Sequence, residues 1–289
     1  MEPAVPRLHS LNLKYVDDLS MLCALSLKSC LLDDPVDRPR PLNFDERTGQ
    51  ILDMSNNQLQ RDLEILHEFT SRKQLKIKEK KTQIMKFNFS KTHDFPPEFK
   101  IPGFHDMLEQ TRETKLLGVM ITSDLKWEAN TQYICAKAFK KIWILRRMKK
   151  VDVKPLDILE VYMKEIRSIL ELAVPAWHSG LTVKQAADIE RVQRVAVAII
   201  LSDYKTGKCE MSYSMALVTL DLEPLDMRRD KLCMNFAKKT LKSRHADMFQ
   251  LNPNQHDTRN KPRFANSSSN TKRFYNSPLN YLTRVLNDT

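Results

Sequence analysis

The sequence contains little glycine, with five residues in a chain of 289. Phosphate-binding loops need closely spaced glycines, so the chain has no material for a nucleotide cradle of that kind. The tight turns of all-β sandwiches and barrels also depend on glycine. The scarcity therefore favours a helix-rich chain with a small sheet.

Metal-binding cysteine patterns and long apolar runs are also missing. The five cysteines form no C-x-x-C pair, and their odd number favours free thiols in a reducing compartment. The N-terminus lacks the basic-then-apolar pattern of a signal peptide. The apolar run 195–201 is far shorter than the roughly 20 residues that cross a bilayer. We therefore expect an intracellular protein with no membrane partner, and the sequence leaves nuclear and cytoplasmic locations open.

Acidic residues are outnumbered by basic ones. The chain has 47 Lys and Arg against 36 Asp and Glu, which gives a formal net charge of +11 and a pI near 9.4. Such an excess is typical of proteins with a polyanionic partner, most simply a nucleic acid. A surface of ordinary solvated lysines is the alternative interpretation, and composition leaves both open.

Hydrophobic periodicity predicts an α+β chain in which most strands come first. Apolar residues alternate from 11 to 15 and recur from 19 to 23, which predicts a hairpin with an acidic pair at its tip. A helix is predicted over 56–72, a turn over 78–82, and further strands at 75–77, 84–89 and 116–121.

From residue 126 onward the pattern becomes helical. A helix over 126–149 places Ile134, Ala138, Ile142 and Leu145 on one face. Later helices begin at Pro155, after a capping-box pattern at Thr182 and Gln185, and at Pro224. The polar residues beyond Asn252 predict disorder. The segments are thus 1–124 with strands, 125–250 helical, and a disordered tail over 251–289.

Two adjacent carboxylates, Asp17 and Asp18, stand at the tip of the predicted hairpin. Like charges side by side repel, so a cation would stabilise the pair. Hard oxygen ligands suit Mg²⁺ or Mn²⁺. Two such ions can activate a 3′-hydroxyl and stabilise a leaving pyrophosphate in nucleotidyl transfer. A surface turn is the alternative interpretation, because aspartate is common in turns.

A family resemblance begins at this acidic pair. The segment Lys14-Tyr15-Val16-Asp17-Asp18-Leu19-Ser20 resembles the Y-x-D-D core of reverse transcriptases. Three later segments resemble, in the same order, parts of non-LTR (LINE-type, jockey-like) retrotransposon polymerases. The first is 75–89 with Lys81-Thr82 and Met85-Lys86-Phe87, and the second is Leu116-Leu117-Gly118-Val119 with Leu125 and Trp127. The third is the helical stretch after it, which includes Ala176-Trp177-His178 and Ile189-Glu190-Arg191-Val192-Gln193. The resemblance covers roughly residues 8–245.

The resemblance implies a role for individual residues. Asp17 would bind the catalytic Mg²⁺ or Mn²⁺, with Asp18 as its less essential neighbour. Tyr15 would lie near the primer end, and Lys80 or Lys81 near the phosphates of the incoming nucleotide. The partners would be an RNA template and a DNA primer. Segment 1–124 would be a partial palm, the remnant of a polymerase sheet, and segment 125–250 a thumb or connection.

The chain also departs from the family pattern. Only 14 residues precede Tyr15, whereas family polymerases carry their fingers and another palm aspartate before this motif. Two-metal catalysis needs carboxylates from at least two strands, and one hairpin does not supply them. The resemblance therefore predicts the C-terminal part of an RNA-directed DNA polymerase, inactive without its N-terminal half. A basic RNA- or DNA-binding remnant without chemistry is the alternative function.

The helix over 126–149 carries a basic arc. Lys137, Lys140, Lys141 and Arg147 gather on one side of a wheel with about 100° per residue. The arc is predicted to follow the phosphate backbone of a template–primer duplex, and a solvated helix face is the alternative. Tryptophans are more often core residues than stacking platforms. We accordingly expect all three in the core: Trp127, Trp143 and Trp177.

Overall fold

The computed structural model describes the backbone of residues 11–15 and 18–22. It describes both backbone and side chains over the ranges 60–75, 77–78, 81–85, 87, 100–105, 107–203, 206–252, 264–265, 269 and 271–288. The chain divides into two units, Met1–Arg112 and Glu113–Thr289. Short strands and predominant helices agree with the predicted α+β class. The described strands form three separate two-stranded sheets, and the identity of the first strands as part of a polymerase palm stays a prediction.

The first unit begins with the predicted hairpin. Strands β1 (Leu11–Tyr15) and β2 (Asp18–Leu22) pair antiparallel, and their register places Tyr15 opposite Asp18. Alternating apolar residues favour this pairing because successive side chains of a strand point to opposite faces. The strand prediction is confirmed, while Val16 and Asp17 lie outside the described residues.

A small core forms among the described residues that follow in this unit. Helix α1 covers residues 60–72, and its Leu63 is buried against Ile101. Strands β3 (Gln83–Ile84) and β4 (Glu109–Gln110) pair in parallel. The N–H groups of 81 and 82 donate hydrogen bonds to the carbonyl oxygen of 78, which agrees with the predicted turn, while residues 79 and 80 lie outside the described residues.

Strand predictions around this core were too long. Leu75 is outside any strand and is 57% exposed, because the chain leaves α1 through Gln74 in a left-handed conformation with φ 55°. Of the strand predicted over 84–89, only residue 84 is in a strand among the described residues. An apolar alternation without a sheet partner does not become a strand.

The second unit opens with a hairpin that corrects another prediction. The run 116–121 was expected to be one strand, but β5 (Glu113–Leu116) and β6 (Val119–Thr122) pair antiparallel around a two-residue turn. Leu117 and Gly118 have φ of 48° and 89°. Positive φ at both central residues is the geometry of a tight hairpin turn, which glycine adopts without strain. This hairpin packs on the helical core through Val119, so the division between units falls at Arg112 rather than at 124.

Nine α-helical segments follow in the described residues. Their bounds are α2 (Glu128–Lys150), α3 (Pro155–Val161), α4 (Ser168–Leu170), α5 (Val174–Trp177), α6 (Val183–Ile200), α7 (Tyr213–Thr219), α8 (Leu225–Leu241), α9 (Lys272–Tyr275) and α10 (Pro278–Asn287). A π-helical segment, Tyr162–Arg167, joins α3 to α4. The segment α7, begun by the capping hydroxyl of Ser212, was not predicted.

Local signals placed several of these helices correctly. Pro155 occupies the first turn of α3, where its missing N–H has no intrahelical partner to lose. The Thr182 hydroxyl accepts from the Gln185 N–H at 3.3 Å, and the Gln185 side chain accepts from the Thr182 N–H at 2.8 Å. Both bonds of the predicted capping box are therefore present.

The core of this unit lies between α2, α6 and the helix that contains the π-helical segment. All four residues predicted on the inner face of α2 are buried, and so are Ile158, Tyr162, Ile166 and Ile169. The Tyr162 hydroxyl donates to Gln193 at 2.6 Å, and Gln193 donates to Tyr213 at 3.0 Å. Burial raises the pKa of Tyr162. This buried polar chain joins the π-helical segment to α6 and α7.

The prediction of a disordered tail over 251–289 is wrong for residues 271–288. Helix α10 packs on α8, and its Leu282 belongs to the core. The polar composition of this segment does not predict a helix, because its few apolar side chains pack on a surface formed by residues that are distant in the sequence. In the described part of the chain, no helix has the length and hydropathy needed to span a bilayer.

Candidate nucleic-acid interface

For Tyr15 and Asp18, two of the predicted site residues on the acidic hairpin, the structure describes the backbone. Tyr15 and Asp18 face each other as the last and first residues of β1 and β2. Asp17 and Lys80 lie outside the described residues, and Lys81 is exposed in the short turn before β3. Among the residues described with side chains, no group of three His, Cys, Asp or Glu is placed to hold a metal. The roles of Tyr15, Asp17, Asp18, Lys80 and Lys81 stay predictions.

Helix α2 is the strongest concentration of positive charge that the described structure shows in one element. It contains seven basic residues, Lys137, Lys140, Lys141, Arg146, Arg147, Lys149 and Lys150. Glu128 is its one acidic residue, at the first position of the helix. Part of this charge complements the helix dipole, since cations are favoured in the last turn. Lys137 and Lys140 lie more than two turns before the end, where the dipole gives no such explanation.

Two of the seven cations already have protein partners. Lys141 forms an ion pair with Glu165 of the π-helical segment, which holds the pKa of Glu165 below its usual value. Lys149 donates to the carbonyl of Ile200 at the end of α6, at 3.1 Å. Lys141 was predicted to contact nucleic acid, but in the structure its ammonium pairs with the Glu165 carboxylate of the π-helical segment. It therefore contributes less to the exposed arc than the sequence suggested.

The other five cations on α2 are directed to solvent. Lys137, Lys140, Arg146, Arg147 and Lys150 are all exposed, and none pairs with a carboxylate among the residues that the structure describes. An unneutralised row of charges lowers stability by mutual repulsion, whereas a polyanion would remove that repulsion. The predicted arc thus gains Arg146 and Lys150.

Strand β5 adds one more cation beside this row. The ammonium of Lys115 lies 4.9 Å from the centre of the Tyr133 ring on α2. A hydrogen bond from Lys115 lowers the pKa of Tyr133, and the charge of Lys137 acts in the same direction. Sequence reasoning missed Lys115, because the predicted strand begins at residue 116 and the hairpin that carries Lys115 was not expected.

The three tryptophans divide into two environments. Trp177 is fully buried, and its ring N–H donates to the Leu172 carbonyl at 2.9 Å. Trp127 is partly buried and packs on the same core. Trp143 is 60% exposed on α2, so the expectation that it is a core residue is wrong. It lies nine residues after Ile134, which is half a turn around the helix from the buried face.

A separate polar cluster joins the C-terminal helix to α8. Asp230 accepts from the Tyr281 hydroxyl at 2.6 Å and lies 2.7 Å from His178 Nε2. Arg229 Nε donates to His178 Nδ1 at 3.1 Å. Because Nδ1 accepts, the ring proton must be on Nε2, where it is donated to Asp230. His178 is therefore a neutral structural residue, and burial lowers its pKa.

The lowered pKa of His178 predicts acid sensitivity. The unfolded chain takes up this proton as pH falls through about 6.5, while the folded chain resists it. We expect the free energy of unfolding to decrease from pH 7.5 to 5.5, by at most about 1.4 kcal/mol per pH unit. Urea denaturation at the two pH values measures the effect. His178→Gln can keep both hydrogen bonds without titrating, and its curve should be flatter. Equal pH dependence in both proteins would contradict the assignment.

Comparison of the chain with protein-family models, with curated proteins and with solved structures found no match. The functional interpretation therefore depends on the residues themselves. The feature that stands out is the exposed basic face of α2, which we define as Lys137, Lys140, Arg146, Arg147 and Lys150.

Proposed function

We propose that this chain binds the sugar–phosphate backbone of RNA or DNA through the basic face of α2. The observation that carries the proposal is the set of five exposed cations without carboxylate partners among the described residues. The net charge of +11 supports it, because long-range attraction favours a polyanionic ligand. Lys and Arg contacts to phosphates supply most of the affinity of such binding without reading sequence.

A salt series on the wild-type chain tests this function. Each neutralised phosphate of a single strand steepens the fall of log K against log salt by about 0.7. Five contacts give a slope near −3.5, or roughly a 100-fold loss of affinity between about 50 and 200 mM salt. Fluorescence anisotropy with a labelled oligonucleotide measures it. Absence of binding at the lowest salt, or a slope near zero, would contradict the proposal.

We also propose that the chain corresponds to the C-terminal palm and thumb part of a non-LTR reverse transcriptase. The support is the Y-x-D-D segment together with the register of β1 and β2, which brings Tyr15 and Asp18 opposite each other. In this proposal Mg²⁺ or Mn²⁺ would be held by Asp17 and Asp18. The carboxylates of a further strand would be needed to complete a two-metal site.

Primer extension tests the polymerase proposal. We expect no Mg²⁺-dependent extension by the 289-residue chain alone on an RNA template with a DNA primer, because one hairpin supplies too few metal ligands. Extension should require a polymerase segment supplied in trans. The sequence has a second Asp-Asp pair, Asp33-Asp34, directly before Pro35. With the added segment present, Asp17→Asn should abolish extension, while Asp33→Asn should leave it unchanged. Robust extension by the isolated chain would overturn the expectation of inactivity.

A further inference from the structure

The solvent side of α2 exposes two aromatic rings in the middle of its charges. Trp143 is 60% exposed and Phe139, one turn earlier, is 38% exposed. Residues three and four apart are neighbours on a helix surface. Trp143 is therefore adjacent to Lys140, Arg146 and Arg147. Lys150 follows two turns after Trp143 on the same side.

The charges around these rings restrict what can cover them. An apolar protein surface would have to remove water from several cations, at a cost of several kcal/mol for each ion left without a partner. A second copy of this helix would bring like charges together. A nucleic acid pairs the same cations with phosphates and presents flat bases to the rings. Of these ligands, only a nucleic acid satisfies both the rings and the charges.

The exposed rings also distinguish between forms of nucleic acid. In a duplex the base faces are stacked on one another, so only the phosphates can reach a convex helix. In a single strand the faces are free, and stacking on aromatic side chains is the usual sequence-tolerant contact. Phe139 and Trp143 are separated by about 6 Å along the helix axis, which exceeds the 3.4 Å rise of stacked bases. Each ring would therefore meet a base of an extended, unstacked strand.

We propose that Trp143, assisted by Phe139, is a stacking platform for unpaired bases, and that the preferred ligand of the basic face of α2 is single-stranded RNA or DNA. This inference depends on the proposed nucleic-acid binding and specifies its ligand. It differs from the duplex contact expected of a thumb, because a duplex would use the cations and leave the rings uncovered.

Competition binding with matched oligonucleotides tests the inference. The probes are a labelled 20-nucleotide oligo(dT), an oligo(U) of the same length, and a 20-base-pair duplex, all at one low salt concentration. Trp143→Ala should weaken binding of the single strands about fivefold or more, the lower limit for the loss of one stacked base. Duplex binding should change less than twofold. The ratio of oligo(dT) to oligo(U) affinity separates DNA from RNA as the preferred source.

Two further variants test whether the effect is specific to the aromatic ring at position 143. Trp143→Phe keeps a ring and should retain most of the single-strand affinity, while Val183→Ala removes exposed apolar surface on α6 and should have no effect. The salt slope of Trp143→Ala should equal that of the wild type, because stacking releases no counterions.

The outcomes separate this inference from the function on which it depends. If the wild type binds single strands but Trp143→Ala binds them equally well, the stacking platform is refuted while backbone binding stands. Equal losses on single strands and duplex would also refute it. If the wild type binds none of the three probes at low salt, both proposals fail, and the exposed rings become candidates for a protein partner.

Discussion

A triple variant is expected to lower the affinity for single-stranded nucleic acid roughly 100-fold at about 0.1 M salt. It combines Lys137→Gln, Lys140→Gln and Arg147→Gln in one chain. The three residues are exposed and have no carboxylate partner among the described residues. Each lost phosphate contact makes the salt slope shallower by about 0.7, so the slope should fall by about 2. Anisotropy titrations of both proteins over a salt series measure the two quantities together.

The control for this variant is another triple substitution with the same change in net charge. Lys184→Gln, Lys238→Gln and Lys239→Gln remove exposed cations from α6 and α8. If binding reflects only the overall charge, the two triple variants should lose affinity equally. If binding depends on the basic face of α2, the affinity of the control variant should fall severalfold at most. Equal losses would contradict the assignment of the interface to α2.

Trp177→Ala is expected to reduce the free energy of unfolding by about 3–5 kcal/mol. The Trp177 side chain is fully buried, in a short helix that packs against α8 and α10. Its removal leaves a large cavity and takes the hydrogen-bond donor from the Leu172 carbonyl. A loss of this size is a large share of the 5–15 kcal/mol that stabilises an ordinary domain. Urea denaturation followed by circular dichroism measures it.

The same substitution at a different tryptophan provides the matched control. Trp143 is 60% exposed, so Trp143→Ala should change the free energy of unfolding by no more than about 0.5 kcal/mol. The two variants remove identical atoms and differ in what surrounds them. Equal midpoints would mean that one of the two environments is misassigned. A wild-type midpoint for Trp143→Ala would also show that its binding defect does not come from unfolding.

Much of the secondary structure was predictable because its causes are local. The inner face of α2 follows from apolar residues at helical spacing, and both bonds of the capping box at Thr182 join residues three apart. Pro155 begins its helix wherever the rest of the chain lies. The hairpin turn at 117–118 was not predicted although it contains Gly118, because the apolar residues on both sides of it have the pattern of one continuous strand.

The candidate interface was predictable in part. The positions of Lys137, Lys140 and Arg147 on one arc follow from helical periodicity, and the structure leaves all three exposed. Lys141 lies on the same arc but pairs with Glu165, 24 residues later. Periodicity assigns residues to a side of a helix and carries no information on which distant residue packs there.

The sequence by itself determined the class of the chain, its excess of positive charge, most helix starts and the basic arc of α2. The tertiary structure decided that Trp143 faces solvent while Trp177 is buried, and that the C-terminal helix packs on α8. These outcomes depend on pairs distant in the chain, such as Tyr281 and Asp230, 51 residues apart. Tryptophan has the same hydrophobicity at every position. Whether it joins the core or meets a ligand therefore depends on which helices cover it, and long-range packing alone establishes that.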